Sequence, residues 1–387
     1  MSEAGSEPRV AAGHVVSLRM FDIAFAIDLV RAEALWASHA AGRTARARLS
    51  GTPPKAMAFG VPPLAIVLEP LAITFEGVAF EAAVTARLYD FGVVSLAVRL
   101  PVGDRPWRAF EQLLNAVDQA IGPRGHTHAP EPASEPAANS PWERLLDNLR
   151  SVIGGALVRP IASALQEDYL IGVVHAFDAP LSAAELLGRI DLVPLLSGER
   201  RALSEGARAD LLRQRFSFYA DDLVVLTWDR AFIYEPRGDS DVSDVIEVAN
   251  AQLLEMRYYD ELLDDELPRM YDLVEGTRSG LRLFGARRYS TLARRLTTLV
   301  AEVTELTEKV DNALQVTEDV YLARIYAAAL ELFRVRLVSA AVERKLSIIR
   351  DTYTALYDEA NSARSEALEV AILVLIMVEV VQGILRH

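Results

Sequence analysis

The sequence predicts an α+β protein in which two ferredoxin-like β-α-β-β-α units precede a long α-helical hairpin (a coiled coil) and a C-terminal transmembrane helix. Three observations lead to this fold class. Two similar stretches flank a Pro-rich segment, residues 286–382 contain neither Gly nor Pro, and 14 of the 18 residues at 368–385 are apolar. A long stretch without a helix breaker indicates extended helices, and an apolar run of this length approaches what a bilayer requires.

The overall composition excludes several classes of protein. The 387 residues carry 40 basic and 54 acidic side chains, for a net charge of −14. A general nucleic-acid binder is normally basic, so we expect no DNA partner. The absence of Cys excludes disulfides, thiolate metal sites and cysteine nucleophiles. Because the common nucleotide-binding, zinc-protease and serine-hydrolase motifs are also missing, we expect no cofactor, no catalytic residue and no enzymatic activity.

The first α/β unit is predicted over residues 1–121. A strand at 14–21 is followed by a helix, and a hairpin with a tight polar turn follows at 89–96. An amphipathic helix that contains Gln112-Leu113-Leu114 completes the unit. Such a unit buries one face of its sheet under its helices.

A second α/β unit, predicted over residues 142–285, repeats this pattern after a Pro-rich linker at 122–141. Its strand lies at 169–177, its hairpin at 219–226, and the triplet Gln252-Leu253-Leu254 recurs in the helix that follows. The similarity favours a duplication in which two small sheets pack side by side.

The helical hairpin is predicted over residues 286–366, where apolar residues recur at the alternating 4-3 spacing of a coiled coil. The spacing loses phase near 317–319, which would be the turn; one unbroken helix is the alternative. Because such a seam is buried against a partner helix, we expect a homo-oligomer. The seam residues are Leu292, Leu296, Leu299, Val303, Leu306, Val310, Ile349, Tyr353 and Leu356.

A block of arginines between residues 276 and 301 is the candidate interaction surface. This stretch has six Arg and no acid, and it follows a stretch at 255–275 with eight acids and two Arg. The block could pair with those acids, bind anionic lipid head groups, or bind RNA phosphates through bidentate contacts. Its members are Arg278, Arg282, Arg287, Arg288, Arg294 and Arg295.

Two groups have spacings that metal ions use. His126 and His128 lie in the Pro-rich linker, which offers no rigid shell to orient ligands. Carboxylates at 260 and 264, and at 261 and 265, share a helix face and could hold a hard cation. A solvated helix face is the simpler interpretation, so we expect no metal site.

The predicted membrane anchor comprises residues 367–387, and a buried core helix is the alternative. On a helix, Glu369, Glu379 and Gly383 fall on one arc. A polar arc within a membrane span favours contact with another helix, unless Glu379 instead reaches the far membrane surface.

The C-terminal third resembles the family named "required for meiotic nuclear division", with good similarity over residues 210–385. The family has an LE pair that opens a terminal span, but Val370 stands where it usually has Trp. The matching residues are Leu368-Glu369, the run Leu375-Ile376-Met377-Val378-Glu379-Val380, Lys309-Val310-Asp311-Asn312-Ala313-Leu314, Asp319 with Tyr321, Tyr326, Glu343-Arg344-Lys345-Leu346, and the hairpin residues Tyr219, Val224 and Val225.

The resemblance implies a membrane-anchored, oligomeric protein with an α/β portion and a helical hairpin, and no enzymatic activity is established for that family. Eukaryotic members of that family are implied to lie in the mitochondrial inner membrane and to support translation there. The first eight residues resemble neither a signal peptide nor a transit peptide. We therefore expect a bacterial inner-membrane location with the bulk of the chain in the cytoplasm.

These observations together predict a tail-anchored membrane scaffold that self-assembles through its coiled-coil hairpin. Its expected partners are a second copy of itself and the lipid bilayer, with anionic lipid or RNA at the Arg block. The alternative function is a membrane-tethered factor that associates with RNA or ribosomes through the same block.

Overall fold

The computed structural model describes residues 7–39, 44–45, 57–58, 61–75, 78–122, 140–238, 241–278, 294, 297–298, 300–301, 303–304, 315–316 and 320–385. The chain forms two compact units. The first comprises Met1–Glu255 and Val310–Arg336, and the second comprises Met256–Lys309 and Leu337–His387.

The strands and helices follow one another in a mixed order. The strands are β1 (Arg9–Asp22), β2 (Ala24–Ile27), β3 (Thr44–Ala45), β4 (Met57–Ala58), β5 (Leu64–Val67), β6 (Leu71–Phe75), β7 (Val78–Leu88), β8 (Val93–Val102), β9 (Arg105–Pro106), β10 (Leu157–Pro160), β11 (Gln166–Phe177), β12 (Gln214–Phe216), β13 (Leu223–Leu226), β14 (Arg230–Tyr234) and β15 (Gln315–Val316). The helices are α1 (Leu29–His39), α2 (Trp107–Ile121), α3 (Pro141–Ile153), α4 (Ala183–Arg189), α5 (Val193–Ser197), α6 (Glu205–Leu211), α7 (Val242–Arg278), α8 (Val320–Leu332) and α9 (Val335–Leu385).

One mixed sheet of eleven strands organises the first unit. Its main path is β12-β13-β14-β11-β1-β8-β7-β5-β3, with β6 paired to β7 and β9 paired to β1. At its centre, β1 pairs antiparallel with β11 on one side and with β8 on the other. Residues 15–22 of β1 are buried without alternation, which is typical of a strand covered on both faces.

The prediction of two separate ferredoxin-like units is wrong, because strands from both halves share this sheet. The halves also differ in the relative direction of their paired strands: β8 is antiparallel to β1, whereas β14 is parallel to β11. The two predicted hairpins are present as the antiparallel pairs β7–β8 and β12–β13. However, β8 contacts β1 directly, while β14 separates β13 from β11. The similarity between the halves was therefore local and did not extend to strand pairing.

Helix α2 covers one face of the sheet. Its apolar side is buried, as expected for an amphipathic helix that lies on a core. A Cβ atom at Gly172 on β11 would lie 2.8 Å from the Leu114 side chain, so the missing side chain permits this close approach. The buried residues of α2 are Trp107, Phe110, Leu113, Leu114, Val117 and Ile121.

A buried ion network attaches the start of α7 to the sheet within the first unit. Arg87 on β7 contacts Asp244 at 2.6 Å and Glu247 at 2.9 Å, and the Tyr89 hydroxyl donates to Glu247 Oε1 at 3.3 Å. Burial raises the pKa of Glu247, and the Arg87 charge opposes this shift. Because a buried charge is costly unless it is paired, this network holds the first turns of α7 against β7.

The second unit contains the end of α7 and most of α9. Lys345 on α9 contacts the carboxylates of Asp260 and Asp264 on α7, both at 2.6 Å. Two predicted seam residues, Val303 and Ile349, are buried at 1% and 0% exposure. These observations show that the side of α9 that carries Lys345 and Ile349 is packed within this unit.

A single unbroken helix over residues 286–382, the alternative to the hairpin, does not form. Gln315 and Val316 pair as strand β15 with β4, and a two-residue turn at Phe333 and Arg334 separates α8 from α9. Arg334 adopts a left-handed φ of 57° there, which ends a right-handed helix. The predicted hairpin turn at 317–319 lies outside the described residues.

The predicted C-terminal transmembrane helix is wrong. Over the part of the chain that the structure describes, no helix has the length and apolar character needed to cross a membrane. The C-terminal segment belongs to α9, a helix of 51 residues. Its uncharged run between Glu369 and Glu379 covers only residues 370–378, whereas a span requires about 20 apolar residues. The tail-anchored scaffold, the membrane-tethered alternative and the bacterial inner-membrane location depended on that span and are wrong with it.

Candidate ligand-binding cleft

A cleft of about 900 Å³ lies in the first unit, between α2 and the segment 191–208. That segment comprises α5, the loop after it and the first turn of α6. A volume of this size accommodates a small molecule. The lining residues are Thr74, Glu111, Gln112, Asn115, Ala116, Gln119, Ala120, Asp191, Val193, Pro194, Ser197, Glu199, Arg200, Arg201, Ala202, Leu203 and Arg208.

The α2 wall of the cleft carries a row of side-chain amides. Gln112, Asn115 and Gln119 are spaced by three and four residues, so they lie on one face of the helix. The opposite face is the apolar side that covers the sheet. The amphipathic pattern of α2 therefore positions both the core and the cleft.

A buried arginine from the sheet supports the base of this wall. Arg230 on β14 has 5% exposure, and its Nη1 donates to Asn115 Oδ1 at 2.6 Å and to the Leu195 carbonyl at 2.9 Å. Its Nη2 donates to Asp118 Oδ2 at 2.5 Å. Three elements, β14, α2 and α5, are thus joined at one guanidinium group.

Gly198 allows the chain to turn directly over that guanidinium. It ends α5 in a left-handed conformation with φ of 66°, which Gly adopts without steric cost. A Cβ atom at this position would lie 2.4 Å from Arg230 Nη2. The absence of a side chain at Gly198 therefore lets the chain pass directly against the buried Arg230 guanidinium.

The far wall is held in place by an exposed ion pair. Arg208 on α6 contacts Asp191 through two hydrogen bonds of 3.1 Å. Asp191 Oδ1 also accepts from the backbone N–H of Val193 at 3.0 Å, and the Trp107 indole donates to the Asp191 carbonyl at 3.3 Å. These contacts tie the start of α5 to α2 and α6.

Two guanidinium groups remain available at the cleft. Arg200 and Arg201 line it and are exposed, and no hydrogen bond or ion pair to another described residue involves either side chain. Across the cleft, burial raises the pKa of Glu111, and the Asp191 carboxylate acts in the same direction. Since Asp191 and Arg208 neutralise each other, the uncommitted charges are Arg200, Arg201, Glu111 and Glu199.

The residues that the sequence singled out lie elsewhere. Of the Arg block, Arg294 is exposed and Arg278 is the last residue of α7, while Arg282, Arg287, Arg288 and Arg295 lie outside the described residues. Glu369 and Glu379 are exposed on α9, which also contains Gly383. The side chains of the remaining seam residues are not among those described; these are Leu292, Leu296, Leu299, Leu306, Val310, Tyr353 and Leu356.

The carboxylates that were considered as cation ligands have a cation within the chain. Lys345 contacts both Asp260 and Asp264, so their charge is compensated by an ammonium group. His126 and His128 lie outside the described residues. No group of three or more candidate metal ligands occurs among the residues whose positions are described.

The cleft residues were missed by the sequence analysis for a traceable reason. The sequence analysis searched for long stretches rich in one charge, which identified the Arg block. Arg200 and Arg201 are only two adjacent residues, so this criterion did not detect them. The usable signal was the amide spacing at 112, 115 and 119 on an amphipathic helix, whereas we used only the triplet Gln112-Leu113-Leu114, as evidence of duplication.

A family model described as "Uncharacterized protein MJ0711, N-terminal domain" matches residues 12–241. The uncharacterized protein MJ0711 of Methanocaldococcus jannaschii is 24% identical over 196 residues, which are 50% of this chain and 59% of that protein. The chain thus spans less than two thirds of the length of this relative. No solved structure matches. None of these comparisons tests the resemblance to the meiotic nuclear division family, which stays a prediction.

Proposed function

The chain belongs to the family of the uncharacterized protein MJ0711, N-terminal domain, and we propose that it binds a small polar ligand with an oxyanion group in the cleft between α2 and residues 191–208. Every lining residue of the cleft falls between positions 74 and 208. The cleft therefore lies wholly within the region 12–241 that the family model matches.

The single observation that carries the proposal is the pair of adjacent arginines on the far wall. Arg200 and Arg201 face the cleft without an ion-pair partner among the described residues. Guanidinium groups bind phosphate and carboxylate oxygens through paired, charge-assisted hydrogen bonds. The amides of Gln112, Asn115 and Gln119 provide neutral polar contacts for the rest of the ligand.

Binding rather than catalysis is the activity that the lining favours. The residues at the cleft include Thr74 and Ser197, but no His, Cys or Lys lines it within the described chain. A hydroxyl nucleophile needs an adjacent base. Glu111 is the one cleft acid whose pKa is raised, and its role would be to make anion binding stronger at lower pH, where it is neutral.

Isothermal titration calorimetry with inorganic phosphate and with citrate tests the proposal and separates phosphate from carboxylate ligands. The double substitution Arg200→Ala with Arg201→Ala should weaken binding of the preferred anion at least about tenfold. Arg213→Ala with Arg215→Ala is the matched control, since neither side chain lines the cleft.

Two outcomes would contradict the proposal. One is that the unmodified protein binds neither anion below about 10 mM. The other is that the control pair weakens binding as much as the Arg200 and Arg201 pair, because binding would then reflect only overall charge.

A further inference from the structure

The orientation of the Asn115 amide is determined by its neighbour. An arginine side chain has only N–H donors and no acceptor. The atom of Asn115 that lies 2.6 Å from Arg230 Nη1 must therefore be the carbonyl oxygen Oδ1. The opposite orientation would place two donors against each other at a partly buried position, which is costly.

Arg230 cannot turn away to permit that opposite orientation. Its terminal nitrogens also donate to Asp118 Oδ2 and to the Leu195 carbonyl. Gly198 lies directly against its guanidinium, and the whole residue is only 5% exposed. The amide of Asn115 is thus held in one orientation before any ligand arrives.

Asn115 nevertheless remains a lining residue of the cleft and is only partly buried. With Oδ1 committed to Arg230, its free polar atom is Nδ2, which carries two N–H donors. Helix α2 thus offers the cleft a fixed donor, and that donor lies across the cleft from the segment that carries Arg200 and Arg201.

We infer that Asn115 is a specificity-determining residue, which donates a hydrogen bond from Nδ2 to an oxyanion of the ligand and thereby disfavours ligands that present a donor or a cation at that point. The inference rests on the proposed function and names the group that recognises the anion opposite the two arginines. Arg230 is a positioning residue in this arrangement, because it acts on the ligand only through Asn115.

The isosteric substitution Asn115→Asp tests this inference. A carboxylate can still accept from Arg230, so we expect the melting temperature to be retained or to rise. At the same time the substitution replaces the Nδ2 donor with an anionic oxygen, so the dissociation constant for the preferred anion, inorganic phosphate or citrate, should rise more than about tenfold. Asn148→Asp on α3 is the matched control, since Asn148 is exposed and lies outside the cleft.

A second variant keeps the test informative if Asn115→Asp unfolds the protein. Asn115→Ala removes the donor without adding charge, and we expect a weakening of about three- to tenfold. If either folded variant binds the anion as tightly as the unmodified protein, the inference about Asn115 is wrong. If the Arg200→Ala, Arg201→Ala variant still binds the anion more weakly in that case, the proposed function stands. If the unmodified protein binds neither anion, both the proposed function and the inference about Asn115 are wrong.

Discussion

Replacing the buried carboxylate of Asp22 with an amide should change how the stability of the protein depends on pH. Asp22 is the last residue of the central strand β1 and is 1% exposed. Its carboxylate oxygens lack a well-formed hydrogen bond among the described residues, and the Ala24 backbone N–H interacts with them only weakly. Burial raises its pKa from 3.8 to about 7, and the Ala24 backbone and the charge of Arg150 oppose this shift without cancelling it.

The direction of the effect follows from proton linkage. Between pH 4 and pH 7 the unfolded chain has released the Asp22 proton while the folded chain retains it, so stability is lost as pH rises through this window. The shift from 3.8 to about 7 is roughly 3 units, and at 1.36 kcal/mol per unit this gives about 4 kcal/mol. Because an amide does not titrate in this range, this contribution to the pH dependence should be absent from the Asp22→Asn variant.

Urea unfolding monitored by tryptophan fluorescence between pH 4 and pH 8 measures the effect. The unfolding free energy of the unmodified protein, minus that of Asp22→Asn, should fall by about 4 kcal/mol across the window. Asp147→Asn, which removes an exposed carboxylate from α3, is the matched control. A difference that stays constant within about 1 kcal/mol would refute the reasoning, because Asp22 would then be ionised at little cost in the folded protein.

The remaining predictions concern a second titrating group, a turn and the second unit. Burial lowers the pKa of His14 to about 3, and the charges of Arg99 and the neighbouring His175 act in the same direction. Relative to the His14→Gln variant, the protein should therefore lose stability as pH falls from 6.5 towards 3. The same urea unfolding experiment measures this difference. Gly198→Ala should destabilise the protein by about 1–3 kcal/mol, because of its left-handed φ and the close approach of Arg230. Gly188 has open space around it, so Gly188→Ala should leave the melting temperature unchanged or raise it. Equal changes in melting temperature for Gly198→Ala and Gly188→Ala would contradict the explanation given for Gly198. Ile349→Ala should cost about 2–5 kcal/mol, since Ile349 is fully buried, whereas Ile348→Ala should cost much less at 36% exposure; similar costs would mean that α9 does not pack through Ile349.

The elements of the first unit could be predicted because their signals are local. The strand predicted at 14–21 lies within β1, and the strand predicted at 169–177 lies within β11. Both hairpins were visible as apolar runs on either side of a polar turn. The sheet order could not be obtained in this way, because β1 and β11 are far apart in the chain and no local pattern specifies that pairing.

The candidate cleft shows the same limit more sharply. Arg230 is separated from Asn115 and Asp118 by 115 and 112 positions, so neither contact leaves a spacing in the sequence. The positions of Arg200 and Arg201 depend on the turn at Gly198. That turn requires the left-handed φ of Gly198 and its close approach to Arg230. Residue types alone therefore indicate a charged loop but not what it faces.

The central strand combines a partly buried His14 and a buried Asp22, two titrating groups whose effects on stability oppose each other. His14, with its lowered pKa, adds stability as pH rises from about 3 to 6.5. Asp22, with its raised pKa, removes stability as pH rises from 3.8 to about 7. Over the shared window, from about 4 to 6.5, the unfolded chain holds one proton more at His14 and one fewer at Asp22, so the two contributions to the slope cancel. Each of the two contributions therefore masks the other in the unmodified protein. Compared with the unmodified protein, Asp22→Asn should gain stability with rising pH, and His14→Gln should lose it.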